Sequence, residues 1–201
     1  MHFWFICFFS IKTLVIARAP PPSKWTVPVD AQAVYRAAMV TALDTRVGRV
    51  VDALQATGLS YNTLIVFFTY SGGAGWASNF PLKEMKNTLY EGRVRGVGWV
   101  HSPLLKRPGL VSRRLMYVTD WLATLLAVAG LTSLLPAGTD SLDMWPSLQL
   151  NKASPREEIV LNLDQDTYWG LWSAAIRQGN YKLIWGQHKL LKTHVSIFKC
   201  T

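Results

Sequence analysis

The chain has 201 residues, half of them hydrophobic and 16% charged, with a formal net charge of +9. That length carries one α/β core of ordinary size, and that composition excludes a disordered chain. The positive balance favours polyanions. Yet Lys and Arg are spread out, with short clusters such as Arg113-Arg114 and no RNA- or DNA-reading motif, so nucleic acid is not an expected partner and most charges read as solvated surface.

The cysteines, Cys7 and Cys200, stand at opposite ends of the chain without a CxxC or zinc spacing, and read as two unrelated thiols in preference to the alternative of one terminal disulfide. No glycosylation sequon occurs. The apolar run Phe3 to Phe9 admits two readings. It has the character of a signal-peptide core, although only His2 precedes it in place of the usual basic residues. Alternatively, a buried strand runs from about Lys12 to Ala17. Lys12 leaves the run short for a membrane span, so membrane association stays open at this level. Residues 1–27 are therefore an ambiguous leader or strand.

Pro20-Pro21-Pro22 breaks any regular element. Asp30 is suited to cap a helix, and Val40, Leu43, Val47, Val50, Val51 and Leu54 then share one helical face, with Gly58 as a left-handed stop. Leu64 to Thr69 is a continuous apolar run and predicts a strand buried on both faces, as in a parallel sheet. Ser71-Gly72-Gly73-Ala74-Gly75 follows as a flexible loop at the carboxyl end of that strand, where α/β sheets place ligand sites. A short strand is expected over Gly96–Val100. A helix capped by Thr119 or Asp120 is expected over Trp121–Ala129, apolar nearly all round and therefore buried, with Gly130 ending it. Glu158–Leu163 reads as a strand. The runs either side of Gly179-Asn180 read as a hairpin, and past Gly186 the pattern fades into a tail, 187–201.

Three stretches carry a resemblance that periodicity does not reveal. Tyr35-Arg36-Ala37-Ala38-Met39-Val40, continuing through Leu43-Asp44 and Val47-Gly48, is similar to a helix of the sulfatase family. Pro81-Leu82-Lys83-Glu84-Met85-Lys86, followed by Tyr90-Glu91-Gly92, resembles that family's Pro-Leu-Arg-Gly-x-Lys…Tyr/Trp-Glu-Gly. Asp143-Met144-Trp145-Pro146, Ser154-Pro155-Arg156 and Tyr181-Lys182-Leu183-Ile184 resemble its arylsulfatase B branch. The resemblance runs from about residue 28 to 186. It implies the later part of an alkaline phosphatase-like α/β sulfatase fold: a mostly parallel sheet with helices, then a C-terminal antiparallel hairpin. Residues 28–150 would be the later part of the catalytic domain, and 151–186 a C-terminal subdomain. Such families are lysosomal or secreted.

The same resemblance implies hydrolysis of sulfate esters by a formylglycine, made from a Cys or Ser in Cys/Ser-x-Pro-x-Arg, beside a Ca²⁺ ion. This sequence contains no such motif. Where the family has Thr-Asp-Asn-Gly-Gly at the metal, this chain has Thr69-Tyr70-Ser71-Gly72-Gly73. Hard cations take carboxylate and carbonyl oxygens, so Tyr70 and Ser71 predict loss of Ca²⁺, and no cofactor is expected in this chain. Pro21 stands where the family often has a sulfate-binding His. Lys86 matches the family's sulfate-contacting lysine and is the candidate survivor. Glu91, Gly92, Arg95 and Gly96 also match, but read as loop geometry and a structural ion pair. Trp76, Trp99, Trp121 and Trp145 read as core rather than as a sugar site, and His101, His188 and His194 as surface or loop residues. The expectation is a catalytically incomplete sulfatase-family chain. The alternatives are a non-catalytic binder of sulfated glycosaminoglycan and an unstable fragment.

Overall fold

The computed structural model describes residues 4–8, 31–73, 77–86, 88–165, 172–188 and 191–200. They form two compact units, Met1–Leu104 and Leu105–Thr201.

The first unit is built on a three-stranded sheet in the order β1-β2-β3. β2, Thr63–Phe68, is central, and Leu64, Ile65 and Val66 are buried within it. A continuous apolar run suits this place, because neither face of a central strand meets water. β1, Trp4–Phe8, pairs parallel with β2 in the register Ile6↔Ile65. The first apolar run therefore forms a strand, whereas the strand expected at Lys12–Ala17 lies outside the described residues, as do Pro21 and Asp30. β3, Gly98–His101, lies antiparallel on the other side of β2, so the neighbours of β2 are not both parallel. Trp99 stacks on Phe67 with ring centroids 5.3 Å apart. The Ser102 hydroxyl donates to the Thr63 carbonyl at 2.7 Å and ties the end of β3 to the start of β2.

α1, Ala31–Ala56, ends in two paired bonds, Gly58 N–H to the Gln55 carbonyl (3.0 Å) and Leu59 N–H to the Leu54 carbonyl (2.9 Å). This is the closure that a left-handed glycine permits, and Gly58 has φ +69°. Leu43, Val47, Val50, Val51 and Leu54 are half-buried as the helical period requires. Val40, on the same face, is exposed: the stripe continues past the part of the helix that packs.

In the second unit, α3, Asp120–Ala129, ends at Gly130 with φ +71°. The expected side-chain cap is absent: Thr119 makes no capping bond, and the Asp120 carboxylate is engaged elsewhere. α3 is also not buried all round. Ala123 and Thr124 are inside, while Leu122 is exposed. α4, Trp145–Leu150, starts with Pro146 in its first turn and stops at Asn151, which is left-handed at φ +56°. The two helices are joined through Thr124, whose hydroxyl accepts the Met144 N–H at 2.9 Å.

The chain then runs through β4 (Glu158–Gln165), β5 (Trp172–Gln178), β6 (Tyr181–His188) and β7 (Leu191–Lys199). These form one antiparallel sheet in sequence order. The expected hairpin at Gly179-Asn180 is present, with Gly179 at φ +52°. The expected tail is not: 191–199 pairs with β6 along most of its length. Its sequence alternates Leu191, Thr193, Val195 and Ile197 with Lys192, His194 and Ser196, a strand period that the sequence reading overlooked.

Candidate functional site

Tyr70 and Ser71 lie just past the carboxyl end of β2, and β1 runs parallel beside that strand. This is where the loop was expected to carry a ligand site. Two further segments close on it. Asn79 clamps the loop: its Oδ1 accepts the Gly73 N–H at 2.8 Å, and its Nδ2 donates to the Gly73 carbonyl at 3.0 Å and to that of Glu84 at 3.2 Å. The Lys86 N–H donates to the Gly73 carbonyl at 3.1 Å. The Gly72 N–H donates to the Arg93 carbonyl at 2.7 Å, and the Gly92 N–H to that of Lys83 at 2.8 Å.

Two glycines make this approach feasible. A Cβ on Gly72 would lie 1.7 Å from the Gly92 carbonyl oxygen, and one on Gly92 would lie 2.0 Å from that of Glu84. Backbone meets backbone here, so no side chain can move aside to make room. Gly92 is thus a matter of loop geometry. Glu91 opens the short helix α2, Glu91–Val94, whose first turn the Arg95 N–H closes on the Glu91 carbonyl at 3.0 Å.

The loop closure sets Lys86 against Tyr70. The ammonium donates to the phenol oxygen and lies 4.7 Å from the ring centroid. Lys83 makes a similar cation–π contact, 4.6 Å from the centroid of Tyr90. Arg93 donates to the Thr88 carbonyl at 3.3 Å. The three positions singled out from sequence, Tyr70, Ser71 and Lys86, are therefore brought to one loop cluster. Trp76 lies outside the described residues, and Pro21 cannot be placed against this cluster.

Ca²⁺ is the metal that the sulfatase resemblance implies, and these donors do not fit it. Where the resemblance implies an acid and an amide stand a phenol and an alcohol, neither of them charged, and the phenol oxygen already accepts from an ammonium. Among the described residues no group of three His, Cys, Asp or Glu side chains gathers where it could hold a metal.

Sequence reading missed a second constellation. Arg156, buried in the second unit, grips Asp120, whose exposure is 0%. Its Nε donates to both carboxylate oxygens at 3.0 and 2.8 Å, and Nη2 donates to Oδ1 at 2.7 Å. Nη1 reaches Asp140 Oδ1 at 3.3 Å, and Nη2 also donates to the Asp140 carbonyl. Asp120 in turn accepts the N–H groups of Tyr117 and Leu142, at 2.7 and 3.0 Å. The hydrogen bond to Asp120 raises the pKa of Arg156 above its ordinary value, against the opposing effect of burial. No spacing signal links residues 36 apart, so only the fold could reveal this pair. It is a structural clamp, buried at Asp120 and open to solvent at Asp140.

No family model matches the chain. It is 36% identical over 166 residues to arylsulfatase J of Mus musculus, covering 75% of this chain and 28% of that one. It is 34% identical over 150 residues to the N-acetylgalactosamine-6-sulfatase of the same species, covering 71% and 27%. Among solved structures it resembles Ps i-CgsB in complex with k-i-k-neocarrahexaose, at 26% identity and TM-score 0.70, over 84% of this chain and 37% of that one. The PsFucS1 sulfatase from Pseudoalteromonas sp. gives 26% identity and TM-score 0.66, over 83% and 36%. The fold is thus the alkaline phosphatase-like fold of sulfatases, in part. The chain belongs to the sulfatase family and corresponds to a C-terminal part of it, spanning about 28% of the length of the mouse arylsulfatase J.

Proposed function

We propose that this polypeptide is a sulfatase-family chain that does not hydrolyse sulfate esters by itself. The observation that carries the reading is the Lys86 ammonium seated on the Tyr70 phenol, at the position where the family resemblance implies a metal-binding acid. Hydrolysis of an anionic ester needs cations to stabilise charge developing on the sulfuryl oxygens, and a nucleophile set against sulfur. Here one cation faces a neutral ring, and no Cys/Ser-x-Pro-x-Arg is available to make formylglycine. A sulfated glycan remains the ligand class. The names of the relatives support it, and so does the charge of +9.

The test is turnover of an aryl sulfate by chain coexpressed with a formylglycine-generating enzyme, beside a Lys86→Ala control. The expected result is the same background rate for both. Turnover by the parent chain that the Lys86 substitution removes would overturn the proposal.

A further inference from the structure

Two arginines reach the carboxyl end of α4, far along the chain from the candidate site. Arg107 Nη1 donates to the Leu150 carbonyl at 3.4 Å. Arg114 donates through Nε to Asn151 Oδ1 at 3.3 Å and through Nη2 to the Asn151 carbonyl at 3.2 Å. Lys152 is the next residue, and Lys106 and Arg113 flank the two arginines in sequence. All five side chains are exposed, and among the described residues none meets a carboxylate, since the ion pairs there belong to Arg156. The nearby acid Asp143 sits at the opposite, amino end of α4, where it accepts the Trp145 N–H at 2.8 Å.

Capping the last carbonyls of a helix accounts for part of this arrangement. It does not account for all five cations. One N–H of Arg107 and two of Arg114 are used, out of five on each guanidinium, and Lys106 and Arg113 cap nothing. Like charges gathered without a counter-charge repel one another, and an anion relieves that repulsion. Holding the two arginines at adjacent backbone carbonyls also reduces the entropy lost when an anion binds.

The geometry points to a polyanion-binding surface at the carboxyl end of α4, formed by Lys106, Arg107, Arg113, Arg114 and Lys152, whose ligand is a sulfated polysaccharide. Sulfate offers three oxygens to a guanidinium fork, and successive sugars present such groups in a row. A single-stranded nucleic acid is the weaker fit, because 105–114 and 149–153 contain no aromatic residue on which a base can stack. The choice of sulfated glycan rests on the family membership used above. The cationic surface itself does not, and it is independent of any hydrolysis at residues 70–86.

The probe is heparin, titrated against the full chain at low salt and again at physiological salt. Two variants test the surface: Arg107→Ala/Arg114→Ala/Lys152→Ala, and Lys106→Ala/Arg113→Ala, whose side chains make no bond the fold would miss. Arg46→Ala/Arg49→Ala on α1 is the charge-matched control for the double variant. Each surface variant is expected to weaken binding by on the order of tenfold and to lower its salt dependence, while the control changes it by less than about threefold. Equal losses in the control would assign the affinity to net charge alone and overturn the surface. So would absence of binding at low salt. Tighter binding of single-stranded DNA of matched length would overturn the choice of glycan. None of these outcomes depends on the turnover assay.

Discussion

Asp120 has no exposed surface, and both of its carboxylate oxygens are engaged. Two backbone N–H groups and the fork of Arg156 occupy its oxygens. Removing the guanidinium leaves an uncompensated buried carboxylate, so Arg156→Met should cost about 3–5 kcal/mol, read as a fall in the urea midpoint. Arg156→Lys should recover little of it, because an ammonium cannot bridge two oxygens at fixed spacing. The pH dependence follows from the direction of the shift. The folded-state pKa of Arg156 lies above the unfolded one, so its contribution is fully present below the unfolded value and is lost only as pH rises through the folded value. The difference between parent and Arg156→Met should therefore persist from neutral pH to about pH 10, where the guanidinium is still charged. Glycines divide by what surrounds them. Gly72→Ala forces a methyl into a carbonyl oxygen and should destabilise by about 1–3 kcal/mol. Gly48→Ala, mid-helix in α1 with nothing within 4 Å of its would-be Cβ, should stabilise by about 0.5–1 kcal/mol. Thermal melts of the two variants should move in opposite directions.

At the scale of the element, the four-stranded sheet has two unlike faces. Register places Leu183 beside Ile176 and Ile197, and Trp185 beside Ala174 and Val195. Leu163 lies beside Ala174 on the same face, with Val160 beside Ile176. Leu163, Val195 and Ile197 on that face are 64–76% exposed. Ile159, Ala175 and Lys182, on the other face, are buried. An apolar face of this kind promotes self-association in water. Leu163→Lys/Val195→Lys should therefore reduce light scattering and dye binding in concentrated solution. Its cost in melting temperature should be small, because exposed positions contribute little to folding. The same alternation runs through the hairpin around Gly179-Asn180, which its turn pair marked, and on into β7, which no such pair marked. There Leu191, Thr193, Val195 and Ile197 alternate with Lys192, His194 and Ser196, while His188-Lys189-Leu190 before them offers no Gly, Pro, Asn or Asp to mark a turn, and the strand was passed over as a tail.

At the scale of the whole molecule, stability measures the metal question without reference to turnover. A ligand that binds the native chain raises its melting temperature, so millimolar Ca²⁺ should leave the melt unchanged while a Tyr70-Ser71 site lacking acid binds none. A rise that Tyr70→Phe abolishes would contradict the reading of the loop. Local chemistry was enough to find α1, β2, α3 and the central hairpin, because helical period, unbroken apolar runs and left-handed glycines act over a few residues. It was also enough to single out residues 70, 71 and 86, because these lie within motifs. What sequence alone determined is therefore the family and the principal elements. Tertiary structure decided that the first apolar run pairs with β2, that Lys86 faces Tyr70, that Arg156 closes on Asp120, and that Arg107 and Arg114 reach the end of α4. Each of these joins residues distant in sequence, and a contact across such a separation depends on how the intervening chain is folded, which no local pattern encodes.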